Sequence, residues 1–336
     1  VFGSPGSDNV MTSRGRSSTP LIPVGRIAVR KASEIAPYLA KVKKMEEQIA
    51  NAPRTLADRA WMKRGIHLSG GDPDVRGELR SILSSLNRMS AIVAKDSLGI
   101  KVSTFEIATN DVVDGSTNED AQALLDDGVL IKSYFGHGAI NQTQFQILED
   151  PFFLKNKDRY PFMFALGCNT GNIFKSQISL SESNVLIPDK GAIAYIATSG
   201  LGVLFALDDF GSTLYSYMGE RFYREPVGKA FQSTIRTKDG SDNSSVKALT
   251  HQLTFHGDPA IVLSQDRFPD YVLDPASLVF NPSIIDRALD SFAVSFNLVN
   301  IGKNQGDSVT LRISHRTPTN IILPPQNIIV HATTSC

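Results

Sequence analysis

The sequence predicts an α/β protein with a mostly parallel sheet and helices on both faces, followed by a small β-sandwich. Two patterns support this prediction. From about Pro20 to His256, short apolar runs typical of strands alternate with segments whose apolar residues recur at helical spacing. Beyond about Arg267, apolar residues alternate with period two, as in "SFAVSFNLVN" and "DSVTLRIS". We therefore predict one domain over residues 1–268 and a second over residues 269–336.

The first predicted elements alternate between strand and helix. The run Pro20–Val29 is typical of a strand, and Ala32–Ala50 carries apolar residues at helical spacing. The stretch "GIHLSGG" predicts a short strand that ends in paired glycines. A second helix is predicted to start there, with Asp72 as its N-cap and Pro73 at its first helical position.

Further strands and one further helix follow. "KVSTFEIA" is typical of a strand, and "STNEDAQALLDDG" of a helix with a capping box from Ser116 to Glu119. Three more apolar runs predict strands: one before His137, one before Cys168, and "GAIAYIATSG". The order of these elements predicts parallel strands joined by crossover helices.

Two reactive side chains occupy the same kind of position. His137 follows an apolar run and lies between two glycines in "YFGHG", and Cys168 follows "FMFALG". Ligands of open α/β sheets bind outside the carboxyl ends of the strands. We therefore expect these two residues to meet above neighbouring strands. A turn that merely contains a histidine is the alternative interpretation of the first motif.

Composition limits the class of protein. The chain has 336 residues, 41% of them apolar and 20% charged, so it can bury a core. Basic and acidic residues both number 34, and this balance favours neither nucleic acid nor an anionic membrane as a partner. The longest apolar stretch, residues 191–207, is shorter than the roughly 20 residues that span a bilayer. The two cysteines, Cys168 and Cys336, do not suggest a disulfide framework.

Taken in order, these motifs resemble the gingipain family of cysteine peptidases, which have a caspase-like fold. "YFGHG" and "FALGCNTGNIF" are similar to the two strand ends that carry the histidine and cysteine of that family. Three more stretches are similar: "SDNVMTSRGRSSTPLIPVGRIAVRKASEIAPYLAKVKKME", "KGAIAYIATSG" and "LTFHGDPAIVL". The resemblance covers about residues 7–265, and the part after it resembles an immunoglobulin-like domain. It also implies that an N-terminal subdomain of the family precedes this chain.

The resemblance implies a cysteine endopeptidase that acts on protein or peptide substrates. Cys168 would be the nucleophile, and His137 would activate it and protonate the leaving amine. The backbone amides of Gly138 and Cys168 would form the oxyanion hole. The family also implies a secreted or cell-surface protein with partners in a type IX secretion system, where some members act as the sortase. No signal peptide is visible in this chain.

Specificity is the least defined property. Basic-residue preference in gingipains needs an acid at the base of the first pocket, and arginine-specific members carry a Glu where this chain has Gly70 and Gly71. Asp72, Asp74 and Glu78 lie in the matching region. We hypothesise a weak preference for Arg or Lys before the cleaved bond, carried by Asp74 with Asp72 beside it.

No cofactor or metal is expected for catalysis, because the sequence has no zinc motif. Asp111, Asp114 and Glu119 could hold a structural calcium ion, although a solvated loop explains them more simply. His67 and His256 are interpreted as structural core residues.

Two other functions stay open. The first is a catalytically inactive peptidase-like scaffold or binding module of the secretion system, which a slowly alkylated Cys168 would indicate. The second is a flavodoxin-like domain that binds a phosphate or nucleotide near residues 70–74.

Overall fold

A computed structural model describes residues 6–107, 115–285, 289, 291–305, 308–314, 322 and 324–331. Its strands, in chain order, are β1 (Arg64–Ser69), β2 (Lys101–Glu106), β3 (Ile131–Phe135), β4 (Gly138–Ala139), β5 (Gln142–Thr143), β6 (Phe162–Leu166), β7 (Ala194–Thr198), β8 (Leu253–Gly257), β9 (Tyr271–Leu273), β10 (Val279–Asn281), β11 (Ala293–Ser295), β12 (Leu298–Asn300), β13 (Ser308–Ile313) and β14 (Gln326–His331). The central sheet has the order β2–β1–β3–β6–β7–β8. All of its pairs are parallel except β7 with β8, so the predicted mostly parallel sheet is confirmed.

The α-helices connect these strands and cover the sheet. They are α1 (Asp8–Met11), α2 (Ile35–Asn51), α3 (Leu56–Arg59), α4 (Glu78–Lys95), α5 (Gly115–Asp127), α6 (Gln146–Glu149), α7 (Leu180–Leu186), α8 (Leu204–Ser216), α9 (Val227–Asp239) and α10 (Ser244–Gln252). No helix in the described part of the chain combines the length and apolar character needed to cross a bilayer.

Helices lie on both faces of the sheet, and two neighbouring residues of β3 show this directly. Successive side chains of a strand point to opposite faces. The Ser133 hydroxyl lies 2.6 Å from the hydroxyl of Tyr215 on α8. Lys132 instead forms a buried ion pair with Glu149 of α6, with 2.8 Å between Nζ and Oε1. The hydroxyl of Tyr195 on β7 also donates to Glu149, so this buried carboxylate joins two strands to one helix.

Burial explains why the strands before His137 and Cys168 were predictable. Every residue of β3, β6 and β7 is buried, as expected for strands covered on both faces. Each apolar side chain of this size contributes on the order of 1.5–3 kcal/mol when it is fully removed from water. The carboxyl ends of these strands are therefore held rigidly.

The run Pro20–Val29 does not form a strand of the sheet. Arg26 alone makes an isolated parallel bridge to His256, through Arg26 N to Phe255 O and Gly257 N to Arg26 O, both at 2.8 Å. Proline has no N–H to give to a ladder, and the run contains Pro20 and Pro23. This part of the prediction was wrong.

The helix predicted to start at Asp72 starts later. The first residue of α4 is Glu78, and its N-cap is Gly77 with a φ of 83°. Asp72 caps a turn instead, because its Oδ1 accepts from Asp74 N at 2.9 Å. The residues from Asp72 to Gly77 thus form a loop that leads into α4, whose buried residues include Ile82, Leu86, Met89 and Val93.

After residue 264 the chain forms short antiparallel pairs: β9 with β12, β10 with β11 and β13 with β14. Ile301 is buried, and the Asn304 carboxamide donates to the carbonyls of Ala94, Lys95 and Asp96 at the end of α4. It satisfies acceptors that a helix end leaves without partners. The immunoglobulin-like sandwich over residues 269–336 and the domain boundary at 268 stay predictions.

Two buried histidines give the fold a defined response to acid. His67 contacts the Tyr215 hydroxyl at 2.9 Å, and His256 contacts the Thr254 hydroxyl at 2.8 Å. Burial lowers the pKa of His67 to about 3 and that of His256 to about 4. Because both pKa values fall below the unfolded value of about 6.5, the unfolded state binds more protons below that pH. The stability linked to these residues is therefore complete above pH 6.5 and is lost as the pH falls towards 4.

We expect His256→Gln to reduce this acid sensitivity, because glutamine can keep a hydrogen bond to Thr254 and does not titrate. Between pH 6.5 and 4.5 the variant should lose about 2–3 kcal/mol less unfolding free energy than the wild type. Urea unfolding at several pH values measures this difference.

Asp96→Asn should change the pH dependence of stability in the opposite direction to His256→Gln. Burial raises the pKa of Asp96 to about 7, so the charged form destabilises the fold as the pH rises from about 4 through 7. Removing that carboxylate should steepen the loss of stability on acidification, whereas His256→Gln should flatten it. Equal pH profiles for the two variants would contradict both assignments.

Candidate active site

His137 and Cys168 leave the same edge of the sheet in register. β3 and β6 are parallel neighbours, and Phe135 at the end of one pairs with Leu166 at the end of the other. The chain runs two residues beyond each of these positions to reach His137 and Cys168. The pairing brings the carboxyl ends of both strands together, and the meeting of the two side chains stays a prediction.

Cys168 lies on a tight turn directly after β6. Asn169 adopts a left-handed conformation with a φ of 59°, which asparagine tolerates better than most residues. Asn169 N donates to Gly200 O at 2.8 Å, so this turn is fixed to the loop that follows β7. The same loop places Gly202 N 3.4 Å from the Cys168 sulfur, and the residue is partly exposed. A reactive group on a fixed turn with solvent access suits a nucleophile.

Gly138 packs directly on the backbone of Cys168. A Cβ built on Gly138 would lie 3.0 Å from the carbonyl oxygen and 3.4 Å from the amide nitrogen of Cys168. It would also lie 2.8 Å from Cγ2 of Thr170. Only glycine fits here without displacing its neighbours, so the backbone after His137 approaches the nucleophile as closely as possible.

His137 contacts a carboxylate that the sequence did not assign to it. Its Nε2 lies 2.9 Å from Oε1 of Glu78, the first residue of α4. The histidine side chain is 59% exposed and that of Glu78 is 14% exposed, so the carboxylate supports the ring from the protein side. The contact uses Nε2 and leaves Nδ1 as the second ring nitrogen for proton transfer.

A cleft of about 330 Å³ opens beside His137. Its described lining consists of Ile107, residues 137–139 and residues 142–144, which include the β4–β5 hairpin. A volume of this size accommodates a few side chains of a bound peptide.

The other predicted site residues lie elsewhere. Asp72 and Asp74 lie on the loop before α4, outside the described lining of the cleft, and Asp74 is exposed. Their role in specificity stays a prediction. Asp111 and Asp114 lie outside the described residues, and Glu119 is exposed on α5, so the calcium hypothesis also stays open.

The carboxylate that contacts His137 is Glu78, at the end of the loop that follows Gly70 and Gly71. Sequence reasoning placed Glu78 only in a possible specificity pocket. The sequence would have indicated this contact only if the start of α4 had been known. A carboxylate at the first position of a helix has a fixed location relative to that helix.

Comparison with known proteins shows the family and the fold. The model of peptidase family C25 matches residues 2–264. A search of curated proteins found no match. The structure is similar to the crystal structure of the Arg-specific cysteine proteinase gingipain R (RgpB), with 12% identity and a TM-score of 0.62 over 98% of this chain and 73% of that one.

Two further structures show the same fold. The complex of Porphyromonas gingivalis RgpB pro- and mature domains has 12% identity and a TM-score of 0.62, covering 98% of this chain and 75% of that one. A structure described as a protease has 15% identity and a TM-score of 0.61, covering 98% of this chain and 79% of that one.

The fold is caspase-like, and the protein is a cysteine-type peptidase. It belongs to peptidase family C25, the gingipain family.

Proposed function

We propose that the protein is a cysteine endopeptidase in which Cys168 and His137 form the catalytic pair and Glu78 orients His137. The observation that carries this proposal is the contact of Glu78 with His137, which follows a strand paired in register with the strand before Cys168. A nucleophile, a base and a group that orients the base are the three parts that this kind of catalysis needs.

The reaction begins when His137 takes the thiol proton of Cys168 and the sulfur attacks the carbonyl carbon of the scissile bond. The amides of Gly138 and Cys168 stabilise the oxyanion, and the absence of a Cβ at Gly138 lets its backbone pack against that of Cys168. The C–N bond then breaks, and His137 gives its proton to the leaving amine. Water, deprotonated by His137, hydrolyses the thioester and restores the thiol.

We further propose a weak preference for Arg or Lys before the cleaved bond, with Asp74 and Asp72 as the acidic groups. Its support is the family resemblance and the position of both residues on the loop that ends at Glu78. The resemblance also supports a secreted or cell-surface location and a role with type IX secretion partners, including sortase-like cleavage. Fractionation of the native cells tests the location, and a purely cytoplasmic protein would contradict it.

An inactive scaffold is the second candidate, and one observation favours it. The polar contacts described for the Cys168 sulfur are with Gly202, whose N lies at 3.4 Å and whose O lies at 3.9 Å. A cysteine held in this way without turnover would leave only a binding role.

A fluorogenic peptide library decides between the two candidates. We expect cleavage by the wild type, none by Cys168→Ala, and faster alkylation of Cys168 than of Cys336 at neutral pH. Asp74→Asn should lower kcat/KM for Arg and Lys peptides, and Asp120→Asn, which replaces an exposed carboxylate on α5, serves as the matched control. Absence of any cleavage together with an unreactive Cys168 would favour the scaffold. A preference for apolar or acidic residues would contradict the role of Asp74.

A further inference from the structure

We infer that Gln144 is a positioning residue that holds His137 and Glu78 in one arrangement. This inference rests on the proposed catalytic pair and extends it to a residue that does not react. Gln144 follows the β4–β5 hairpin and lines the cleft beside His137.

One carboxamide joins the turn that carries His137 to the loop that carries Glu78. Oε1 of Gln144 accepts from Gly71 N at 2.7 Å and from His137 N at 3.2 Å. Its Nε2 donates to Gly71 O at 2.7 Å. The loop is therefore held through both its N–H and its C=O, and the histidine backbone is held by the same side chain.

Tyr134 adds two more contacts to this junction. Its hydroxyl lies 3.1 Å from Oε1 of Gln144 and also donates to the carbonyl of His137. The N–H and the C=O of His137 are therefore both fixed by side chains that contact each other. A histidine whose ring is more than half exposed gains its position from these backbone contacts.

Glycines make room for the carboxamide. A Cβ on Gly70 would lie 2.3 Å from Oε1 of Gln144, and a Cβ on Gly136 would lie 2.9 Å from it. Gly70 N also donates to Phe135 O at 2.8 Å, which brings the loop against the end of β3. Gly70 and Gly136 thus leave the space in which a single side chain bridges two loops.

The consequence for catalysis follows from geometry. Glu78 reaches Nε2 of His137 only if the loop from Gly71 to Gly77 keeps its position relative to the histidine turn. A displacement of about 1 Å in a catalytic group can reduce the rate by about 100-fold. Loss of the Gln144 bridge should therefore act through the Glu78–His137 pair.

A double-mutant cycle tests this coupling. We expect Gln144→Met to lower kcat by about 10–100-fold with a smaller change in KM. The double variant Glu78→Gln/Gln144→Met should have nearly the same kcat as Glu78→Gln alone, because residues that act through one contact give non-additive losses. Gln232→Met is the matched control, since Gln232 is a buried glutamine that donates to Pro20 O and should affect stability rather than kcat.

Gln144→Glu supplies a pH signature. In this variant one oxygen of the new carboxylate can still accept from Gly71 N. The other oxygen replaces the Nε2 donor, and while the carboxylate is ionised it has no proton to donate to Gly71 O. Protonation restores a donor at that place, so the activity of this variant relative to the wild type should rise several-fold from pH 8 to pH 5.5. A pH-independent ratio would overturn the bridging role.

A crystal structure of a Gln144 variant distinguishes failure of this inference from failure of the proposed function. In a crystal structure of Gln144→Met, the distance between His137 Nε2 and Glu78 Oε1 should exceed hydrogen-bond range. An unchanged distance, or additive losses in the cycle, overturns the inference alone. Activity that survives Cys168→Ala overturns the proposed catalytic pair, whatever the geometry of Gln144→Met.

Discussion

Cys168→Ala should lose nearly all peptidase activity, with kcat lower by roughly 10³–10⁶-fold. The thiol forms the covalent intermediate, and alanine has no atom that can replace it. His137→Ala should lose a similar fraction, because the thiol then has no base and the leaving amine no acid. The double variant should be little worse than either single one, since the two side chains act as a unit.

Single-turnover and steady-state assays on one fluorogenic peptide measure these losses. Cys336→Ala and His251→Ala are the matched controls, because they remove the other cysteine and a histidine on α10. Both controls should keep wild-type kcat. If Cys168→Ala kept most of the activity, or if the two single losses multiplied in the double variant, the proposed mechanism would be wrong.

The parts of this molecule that sequence predicts well are those fixed by local burial. The strands β3, β6 and β7 are fully buried, so their sequences are continuous apolar runs with clear ends. His137 and Cys168 follow such runs directly, and the carboxyl edge of a parallel sheet is the usual ligand site. The register of the two strands brings their carboxyl ends together, and the expected meeting of the two residues rests on that.

Contacts between loops were not predictable in the same way. Glu78 meets His137 only because α4 starts at Gly77 and Glu78, whereas Asp72 and Pro73 form a stronger local start signal. A local motif indicates which residues are suitable as helix N-caps, but tertiary contacts determine the residue at which the helix starts. The role of Gln144 was not predictable for the same reason. Nothing in "NQTQF" shows that its carboxamide contacts Gly71.

Two other segments show why apolar composition alone does not define a strand: Pro20–Val29, where the strand prediction was wrong, and the C-terminal segment, where the sandwich stays a prediction. Apolar composition favours extended backbone in both segments, but a strand also needs a partner for its N–H groups. Two prolines remove donors from the first segment, which keeps only the bridge at Arg26. In the second, the period-two segments do form antiparallel strands, but they pair with other segments and not with each other, because the choice of partner depends on residues far apart in sequence.

Glu78→Gln should lower kcat by roughly 10²–10⁴-fold and leave the fold intact. As the acceptor at 2.9 Å, the carboxylate of Glu78 holds the proton of His137 on Nε2 and leaves Nδ1 free to take the thiol proton. Glutamine can instead donate its amide to Nε2, which favours the tautomer with the proton on Nδ1. That tautomer cannot act as the base, and a comparable change in a serine protease costs about 10⁴-fold.

Stability measurements distinguish this loss from unfolding. The His137 side chain is 59% exposed, so its pair with Glu78 contributes at most about 1 kcal/mol to the unfolding free energy. We therefore expect similar melting of Glu78→Gln and the wild type, with KM changed much less than kcat. Glu225→Gln is the matched control, because Glu225 is an exposed carboxylate that pairs with Lys229 and should keep full activity when replaced. Wild-type kcat in Glu78→Gln would mean that His137 needs no orienting carboxylate, and the contact of His137 with Glu78 would then have no role in catalysis.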